Sequence, residues 1–351
     1  MEMETVGIER ARNASGLVTP VTIQGVGAYI PDEVITNEML TQTLETTNEW
    51  IQVKTGIEER RFLQEEFVTS DMCVCASNQA IKDAGISAEN LDAIILTSTT
   101  PDQKLPSTAL IIKEKIGATN AIPIDLNQTG CAGGIFSIML GAHLLQNENI
   151  HNVLVIGAEV LSRITNPEDR STRVFLGDAA GAMILQETKE GSGILSWNID
   201  SSLSDAVEIT GGGTKSVRDE EIYRSQFIKM NGREVWKMAT KSLPKSMCSV
   251  IENAGLKVKN IDHFILHQAN LNIIKEAMSA IGASMDKTTL TVQEQGNTGS
   301  ATIFSAFNKA ISENKIKQGD YVVFSAIGAG FLWGSICLKY IKNEEKGFEN
   351  D

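Results

Sequence analysis

Ile81-Lys-Asp-Ala-Gly-Ile-Ser-Ala-Glu-Asn-Leu-Asp-Ala-Ile-Ile-Leu96 returns as Ile251-Glu-Asn-Ala-Gly-Leu-Lys-Val-Lys-Asn-Ile-Asp-His-Phe-Ile-Leu266, without a gap and at an offset of 170 residues. Ile81/Ile251, Ala84/Ala254, Gly85/Gly255, Asn90/Asn260, Asp92/Asp262, Ile95/Ile265 and Leu96/Leu266 are identical. The repeat continues loosely through Ile111-Ile-Lys-Glu114 and Ile273-Ile-Lys-Glu276, and Asn152-Val-Leu-Val-Ile156 matches Tyr321-Val-Val-Phe-Ser325 at an offset of 169. Each copy reads helix, strand, helix, buried strand, helix, strand. A unit this long is a folding unit used twice, not a short-period solenoid. It predicts an α/β protein of two halves, residues 1–195 and 196–351.

One segment of the repeat differs in its chemistry. Asn127-Gln-Thr-Gly-Cys-Ala-Gly-Gly-Ile-Phe-Ser137 recurs as Gly296-Asn-Thr-Gly-Ser-Ala-Thr-Ile-Phe-Ser305, at an offset of 169 that shrinks to 168 after one gap. Cys131 therefore stands where the second copy has Ser300. Two copies built for packing alone have no reason to differ by a reactive group. Ala121-Ile-Pro-Ile-Asp-Leu126 reads as a short buried strand, and residues 132–146 have helical periodicity with Ile135, Ile138, Met139, Ala142 and Leu145 on one stripe. Cys131 thus falls at a strand-to-helix turn, where helix N–H groups lower a thiol's pKa and stabilise the thiolate. Glycines around it let a substrate carbonyl approach the backbone. The competing reading, a small buried hydrophobe, is the common fate of a free cysteine.

His267 closes the strand Asp262-His-Phe-Ile-Leu266, and its counterpart is Thr97; Asn297 is the counterpart of Gln128. Pseudo-twofold packing of the halves brings equivalent strand ends together, so Cys131, His267 and Asn297 are expected to converge on a central crevice. His143, His151 and His263 receive no role.

Composition narrows the classes. The chain has 351 residues, enough for two substantial cores, and 42% hydrophobic residues, ordinary for a soluble enzyme. No apolar run approaches the roughly 18 residues of a membrane span, and no signal-peptide succession opens the chain, so a cytoplasmic location is expected. Five cysteines, Cys73, Cys75, Cys131, Cys248 and Cys337, are odd in number and scattered, which excludes a disulfide framework. Cys73-Val-Cys75 has the wrong spacing for a zinc knuckle and reads as helix packing. A net charge of −13 argues against nucleic acid and anionic membranes as partners. Any anionic substrate must be drawn by a local basic patch. Residues 1–18 suggest a flexible tail or an extra surface strand, and residues 343–351 a frayed end.

With those residues in hand, the chain resembles β-ketoacyl-acyl-carrier-protein synthase III, a thiolase-fold condensing enzyme, over residues 22–340. The resemblance rests on Thr46-Thr-Asn-Glu-Trp-Ile-Gln-Val-Lys-Thr-Gly-Ile57, Gly130-Cys-Ala-Gly133, Asp169-Arg-Ser-Thr172, Gly177-Asp-Ala-Ala-Gly181, His267-Gln-Ala-Asn-Leu271, Gly296-Asn-Thr298 and Gly328-Ala-Gly-Phe-Leu-Trp-Gly334. It implies a thiolase-like fold of two βαβαβ-type halves in a five-layered α-β-α-β-α core. It also implies a homodimer that joins an acyl-CoA primer to malonyl-acyl carrier protein with loss of carbon dioxide, and needs no cofactor or metal because the CoA thioester is a substrate.

Carried over position by position, Cys131 is the implied nucleophile, His267 and Asn297 serve decarboxylation, and the backbone N–H groups of Cys131 and Ala329 hold the oxyanion. Trp50 and Arg170 flank the adenine of CoA, Thr46 and Lys54 lie at the tunnel mouth, and Asn270 meets the pantetheine arm. Asp178 reads as a structural turn carboxylate. Several positions depart from the family pattern. Leu105 replaces a common phenylalanine in a loop that reaches the partner's acyl pocket. Asn272 replaces an arginine that receives the carrier protein, Trp236 a smaller aromatic, and Ala329 a glycine. Arg233, Lys237, Lys241 and Lys245, at helical spacing, offer an alternative basic patch for the carrier protein or form a solvated helix face.

Four other readings stand beside this one. A papain-like hydrolase also uses Cys, His and Asn in that order, but its signature is absent. A non-catalytic subunit of a condensing heterodimer would often lose the cysteine or histidine, and both are kept. A relative in secondary metabolism with a different acceptor, and a 3-hydroxy-3-methylglutaryl-CoA synthase, complete the set; the Asn297 motif disfavours the last.

Overall fold

The computed structural model describes residues 14–127, 129–214 and 222–343. In chain order the first half holds β1 (Val21–Tyr29), β2 (Glu33–Thr36), α1 (Asn37–Thr41), α2 (Asn48–Thr55), β3 (Glu59–Phe62), α3 (Thr69–Asp83) and β4 (Ala93–Ser98). There follow α4 (Thr108–Ile116), β5 (Ile122–Asn127), α5 (Gly133–Leu144), β6 (Val153–Val160), α6 (Arg170–Arg173) and β7 (Asp178–Glu187). The second half holds β8 (Gly193–Ser201), β9 (Val207–Glu208), α7 (Ile222–Ser225), β10 (Lys229–Met230), α8 (Gly232–Asn253), β11 (His263–Leu266) and α9 (Leu271–Ala280). It ends with α10 (Val292–Gln295), α11 (Thr302–Ser312), β12 (Tyr321–Gly328) and β13 (Leu332–Lys339).

The two main sheets share one topology. The first runs β1-β7-β6-β4-β5 and the second β8-β13-β12-β11, with the β4–β6 and β11–β12 pairs parallel and the pairs beyond them antiparallel. The position of β5 is reduced in the second half to one parallel bridge between Phe264 and Thr288. Residues identical in the two copies do identical work. Gly85 and Gly255 follow helices in the left-handed region, at φ 69° and 72°. Asn90 and Asn260 each accept a backbone N–H from three residues upstream, at 3.1 and 2.9 Å. Asp92 accepts from Asn152 N–H and Asp262 from Tyr321 N–H, both at 2.9 Å, tying the start of one strand to its neighbour.

Five layers follow from how apolar faces are covered. Met72, Ala76 and Ile112 of α3 and α4 pack on Ile94, Leu154 and Ile184 of the first sheet. Leu243, Val250 and Ile274 of α8 and α9 cover Phe264 and Val323 of the second. Between the sheets, α5 and α11 share one core in which Ile135, Ile138, Phe304 and Phe307 meet Ile95, Val155, Ile265 and Phe324. β4 is buried along its whole length, as a parallel strand covered on both faces must be. Phe304 is the central contact of the seam. Side chains at Gly134, Gly157 or Gly181, all in the first half, would run into it.

Some expectations change. β5 is an edge strand bonded only to β4, with Ile122 51% exposed, so it is not the buried strand its apolar residues suggested. The expected divide at residues 195/196 falls inside β8, which belongs wholly to the second sheet. Cys73 is buried in α3 but Cys75 faces outward. The described part of the N-terminal segment is packed without forming a strand: Ala14 N–H donates to Leu195 O and Trp197 Nε1–H to Ser15 O, both at 2.6 Å, and Leu17 joins the central core. Residues 1–13 lie outside the described residues, as do 344–351. Asn343 is tied to Gln24 by N–H···Oε1 at 2.8 Å instead of fraying. No helix among the described residues is long and apolar enough to cross a membrane.

Phe304→Ala removes the side chain that fills the notch between the halves. The expected loss is about 3–5 kcal/mol in denaturant unfolding; a loss under about 1 kcal/mol would show that the seam does not carry stability.

Candidate active site

Cys131 lies in a one-turn 3₁₀ helix, Gly130–Ala132, from which α5 continues. Gly130 is needed at φ 52°, and a Cβ there would lie 2.9 Å from the backbone nitrogen of Ala329. Gly133 is needed because a Cβ would strike Thr97 Oγ1. The turn is thus pressed between β4 and the end of β12. Gln128 lies outside the described residues. Burial pushes the Cys131 thiol up to about 12, the Glu159 carboxylate adds to the rise, and hydrogen bonds from its own backbone N–H and from Asn297 oppose it. The helix-terminus effect expected from sequence is therefore outweighed: desolvation of the charged form wins over a few favourable dipoles.

His267 follows β11 and is 5% exposed. Its Nδ1 lies 2.7 Å from Thr302 Oγ1, which leaves Nε2 as the ring nitrogen available to a cavity that His267 lines. Burial drives its pKa down to about 3, so the imidazole is neutral. Asn297 is gripped by its backbone, its N–H donating to Phe175 O at 2.7 Å and its carbonyl accepting Gly177 N–H at 3.0 Å. Its Oδ1 accepts Gly299 N–H at 2.9 Å, which turns the side-chain NH₂ toward Cys131 as a donor. At the end of β12, a Cβ on Gly328 would lie 2.7 Å from the Cys131 nitrogen. The backbone N–H groups of Cys131 and Ala329 are consequently neighbours.

These groups line one cavity of about 470 Å³. Cys131, His267, Asn297, Asn270 and Ala329 all border it, together with Leu161, Leu176, Val207 and Ile209 on apolar walls and Val235, Trp236 and Ala239 of α8. Such a largely apolar cleft with a few convergent polar groups is the usual form of a small-molecule site. Among the described residues no group of three or more His, Cys, Asp or Glu side chains is arranged to hold a metal ion.

Two groups of the site were missed from sequence, one bordering the cavity and one bonded behind His267. Glu159, 1% exposed at the end of β6, accepts from Thr99 N–H and Oγ1, Thr100 Oγ1 and Ser300 Oγ. Burial raises its pKa despite these bonds. Ser300, the counterpart of Cys131, thus buttresses a carboxylate across the seam. Thr302, fully buried, is the second. Both were discoverable by the comparison that singled out Cys131, since their counterparts in the other copy are Gly328 and Gly133.

The remaining expected residues do not border the cavity. Trp50 and Arg170 come together, with the guanidinium carbon 4.9 Å from the indole centroid, and Arg170 Nη1 donates to Glu45 O at 2.8 Å. Thr46 Oγ1 is buried with no partner among the described residues. Asn270 caps α9 by accepting Asn272 N–H at 2.8 Å and donates to Lys54 O at 2.9 Å, so it joins the cavity to the α2 segment that carries Trp50. Asn272 donates to Val53 O and Lys54 O, both at 3.1 Å. Leu105 stands 84% exposed on its loop. Arg233, Lys237, Lys241 and Lys245 are exposed along α8, with no ion pair among the described residues. Asp178 has a structural place, its carboxylate accepting Leu63 N–H, Ser162 N–H and Ser162 Oγ–H.

Comparisons with known proteins identify relatives over most of the chain. The family model for 3-oxoacyl-[acyl-carrier-protein] synthase III matches residues 124–202, and the model for its C-terminal part matches residues 251–340. A β-ketoacyl-[acyl-carrier-protein] synthase III of Clostridium perfringens is 41% identical over 318 residues, covering 90% of this chain and 98% of its own. One from Halalkalibacterium halodurans is 38% identical over 323 residues, covering 92% and 99%. The crystal structure of the Aquifex aeolicus 3-oxoacyl-[acyl-carrier-protein] synthase III superposes with a TM-score of 0.84 at 34% identity, over 91% of this chain and all of that one. The Thermus thermophilus synthase III gives 0.86 at 32%, over 92% and 100%. A duplicated five-layer fold, a cysteine at a helix-entry turn facing a histidine and an asparagine, and relatives alike over nearly their full length lead to one conclusion: the chain belongs to the β-ketoacyl-acyl-carrier-protein synthase III family of condensing acyltransferases.

Proposed function

We propose that this condensing enzyme of fatty-acid initiation takes an acyl group from acyl-CoA onto Cys131 and joins it to malonyl-acyl carrier protein. The observation that carries the reading is the meeting of Cys131, His267 and Asn297 at one cavity, beside two neighbouring backbone N–H groups. The Cys131 thiol gives its proton to water, and the thiolate attacks the thioester carbon. Backbone N–H groups of Cys131 and Ala329 receive the oxyanion. The carbon–sulfur bond to CoA breaks, and the departing thiolate takes a proton from water. Malonyl-acyl carrier protein then enters and loses carbon dioxide. His267 Nε2–H and the Asn297 NH₂ group donate to the enolate oxygen, a task for which a neutral imidazole with a depressed pKa suffices. The enolate carbon attacks the acyl-cysteine, and expulsion of the Cys131 thiolate leaves the β-ketoacyl product.

For CoA, the Trp50 face and the Arg170 guanidinium offer a planar stack and a cation, with adenine entering between them as Arg170 lifts away. The exposed row Arg233, Lys237 and Lys241 lies on the helix whose first turns line the cavity, which suits an acidic carrier protein delivering its arm there. The open edge of β5 and the exposed Leu105 support a homodimer in which two such edges pair and each Leu105 closes the other subunit's acyl pocket. A cytoplasmic location suits these substrates.

Three results test this reading. His267→Ala is expected to form acyl-enzyme normally and Asn297→Ala, which loses a hydrogen bond to the thiol, more slowly but still to completion, while carbon dioxide release from malonyl-acyl carrier protein falls by about a hundredfold or more in both; either variant condensing at the normal rate would remove that residue from the mechanism. With the thiol pushed up to about 12, the thiolate fraction grows as pH rises. Alkylation of Cys131 by iodoacetamide should then accelerate steadily from pH 6 to pH 10, and a plateau beginning below pH 8 would mean an activated thiolate at rest. The double variant Lys237→Glu/Lys241→Glu should raise KM for the carrier-protein substrate about tenfold and leave acylation by acyl-CoA unchanged. An unchanged KM would move docking to another face.

A further inference from the structure

We infer that Thr302 is a positioning residue whose hydroxyl donates to His267 Nδ1 and thereby fixes the proton of the neutral ring on Nε2, facing the cavity. The inference rests on the decarboxylation role proposed for His267, which needs Nε2–H. It adds the group that selects that tautomer over the one with a bare Nε2, which would repel the enolate oxygen.

Three features carry it. Thr302 Oγ1 and His267 Nδ1 are 2.7 Å apart, both residues are buried, and the hydroxyl can act either as donor or as acceptor. The rival acceptor for its single proton is Gly299 O, at 3.0 Å. That carbonyl already receives the backbone N–H of Thr302, so it does not need the hydroxyl. The longer contact is therefore the dispensable one.

The duplication supplies an internal control. Gly130–Ala132 and Gly299–Ala301 are matching 3₁₀ turns, each followed at once by a helix, so Thr302 stands where Gly133 stands in the first copy. The residue facing Gly133 is Thr97, the counterpart of His267. Where the strand end carries threonine, the helix starts with glycine; where it carries histidine, the helix starts with threonine. The hydroxyl at position 302 accompanies the imidazole. Glycine would satisfy the turn geometry alone, as it does in the first half.

The test is the tautomer itself, read by ¹⁵N–¹H correlation spectra of the full chain labelled with ¹⁵N-histidine. His267 among the four histidines is assigned with His267→Gln. Wild type and Thr302→Ser, which keeps the hydroxyl, should show a protonated Nε2 and a bare Nδ1. Thr302→Val, nearly isosteric without the hydroxyl, should lose that pattern while the other three histidines keep their signals. It should also form acyl-enzyme within about twofold of the wild-type rate but release carbon dioxide at least about tenfold more slowly. A wild-type proton on Nδ1 overturns the inference whether or not Thr302→Val folds, as does a Thr302→Val protein that keeps both the Nε2–H pattern and the decarboxylation rate. If the predicted tautomer is present but wild type releases no carbon dioxide from malonyl donors, the hydrogen-bond assignment holds and the condensing role of the site fails.

Discussion

Phe304 reaches from α11 into a notch made by Gly134, Gly157 and Gly181, and the rest of the molecule depends on that contact. It lets two copies of one α/β unit close upon each other with α5 and α11 in a shared central core. Because the packing is pseudo-twofold, the C-terminal ends of β4 and β11 and the starts of α5 and α11 meet near the axis. Residues far apart in sequence then face one cavity, and each half is free to contribute different groups. The first copy supplies a thiol at the turn and a carboxylate at Glu159. The second supplies His267 and Asn297, with Thr302 bonded behind the imidazole.

The electrostatics of the site follow from its burial. The chain carries a net charge of −13, yet the thiol and the imidazole at the cavity are held uncharged: the first is pushed up to about 12 and the second down to about 3. Neutral donors in fixed positions suit a reaction in which negative charge appears only in transit, on a thioester oxygen and then on an enolate. Asn297 illustrates the economy of the arrangement. Its carbonyl oxygen is occupied by Gly299 N–H, so only the donating end of the amide is left for the cavity.

Much of this was legible in the sequence because the duplication turns one chain into its own comparison. Gly85/Gly255, Asn90/Asn260 and Asp92/Asp262 are identical since each ends a helix, caps a turn or anchors a strand start in the same way, and those are local demands. Cys131 against Ser300 and His267 against Thr97 were conspicuous as breaks in that identity. Other features depend on three-dimensional context that no pattern carries. An apolar strand reads as buried whether or not a neighbour covers its outer edge, which is why β5 looked internal. A helix terminus predicts an acidified thiol only when water or counter-charges remain nearby, and at Cys131 desolvation prevails. Glu159 and Thr302 also break the repeat, against Gly328 and Gly133, but the partners that give them their places, Ser300 and His267, are visible only in the fold. The divide between the halves was displaced because nothing in the composition around Gly193 marks the point where the chain crosses from one sheet to the other.

In the proposed reaction Cys131 carries the acyl group between two substrates. Intact-mass measurement of the purified wild-type chain, incubated with a panel of acyl-CoAs and then chased with malonyl-acyl carrier protein, tests it most directly. The expected result is an acyl adduct on Cys131 that the chase discharges as a β-ketoacyl-carrier protein. An adduct that malonyl donors leave in place, or one located on another residue, would contradict it.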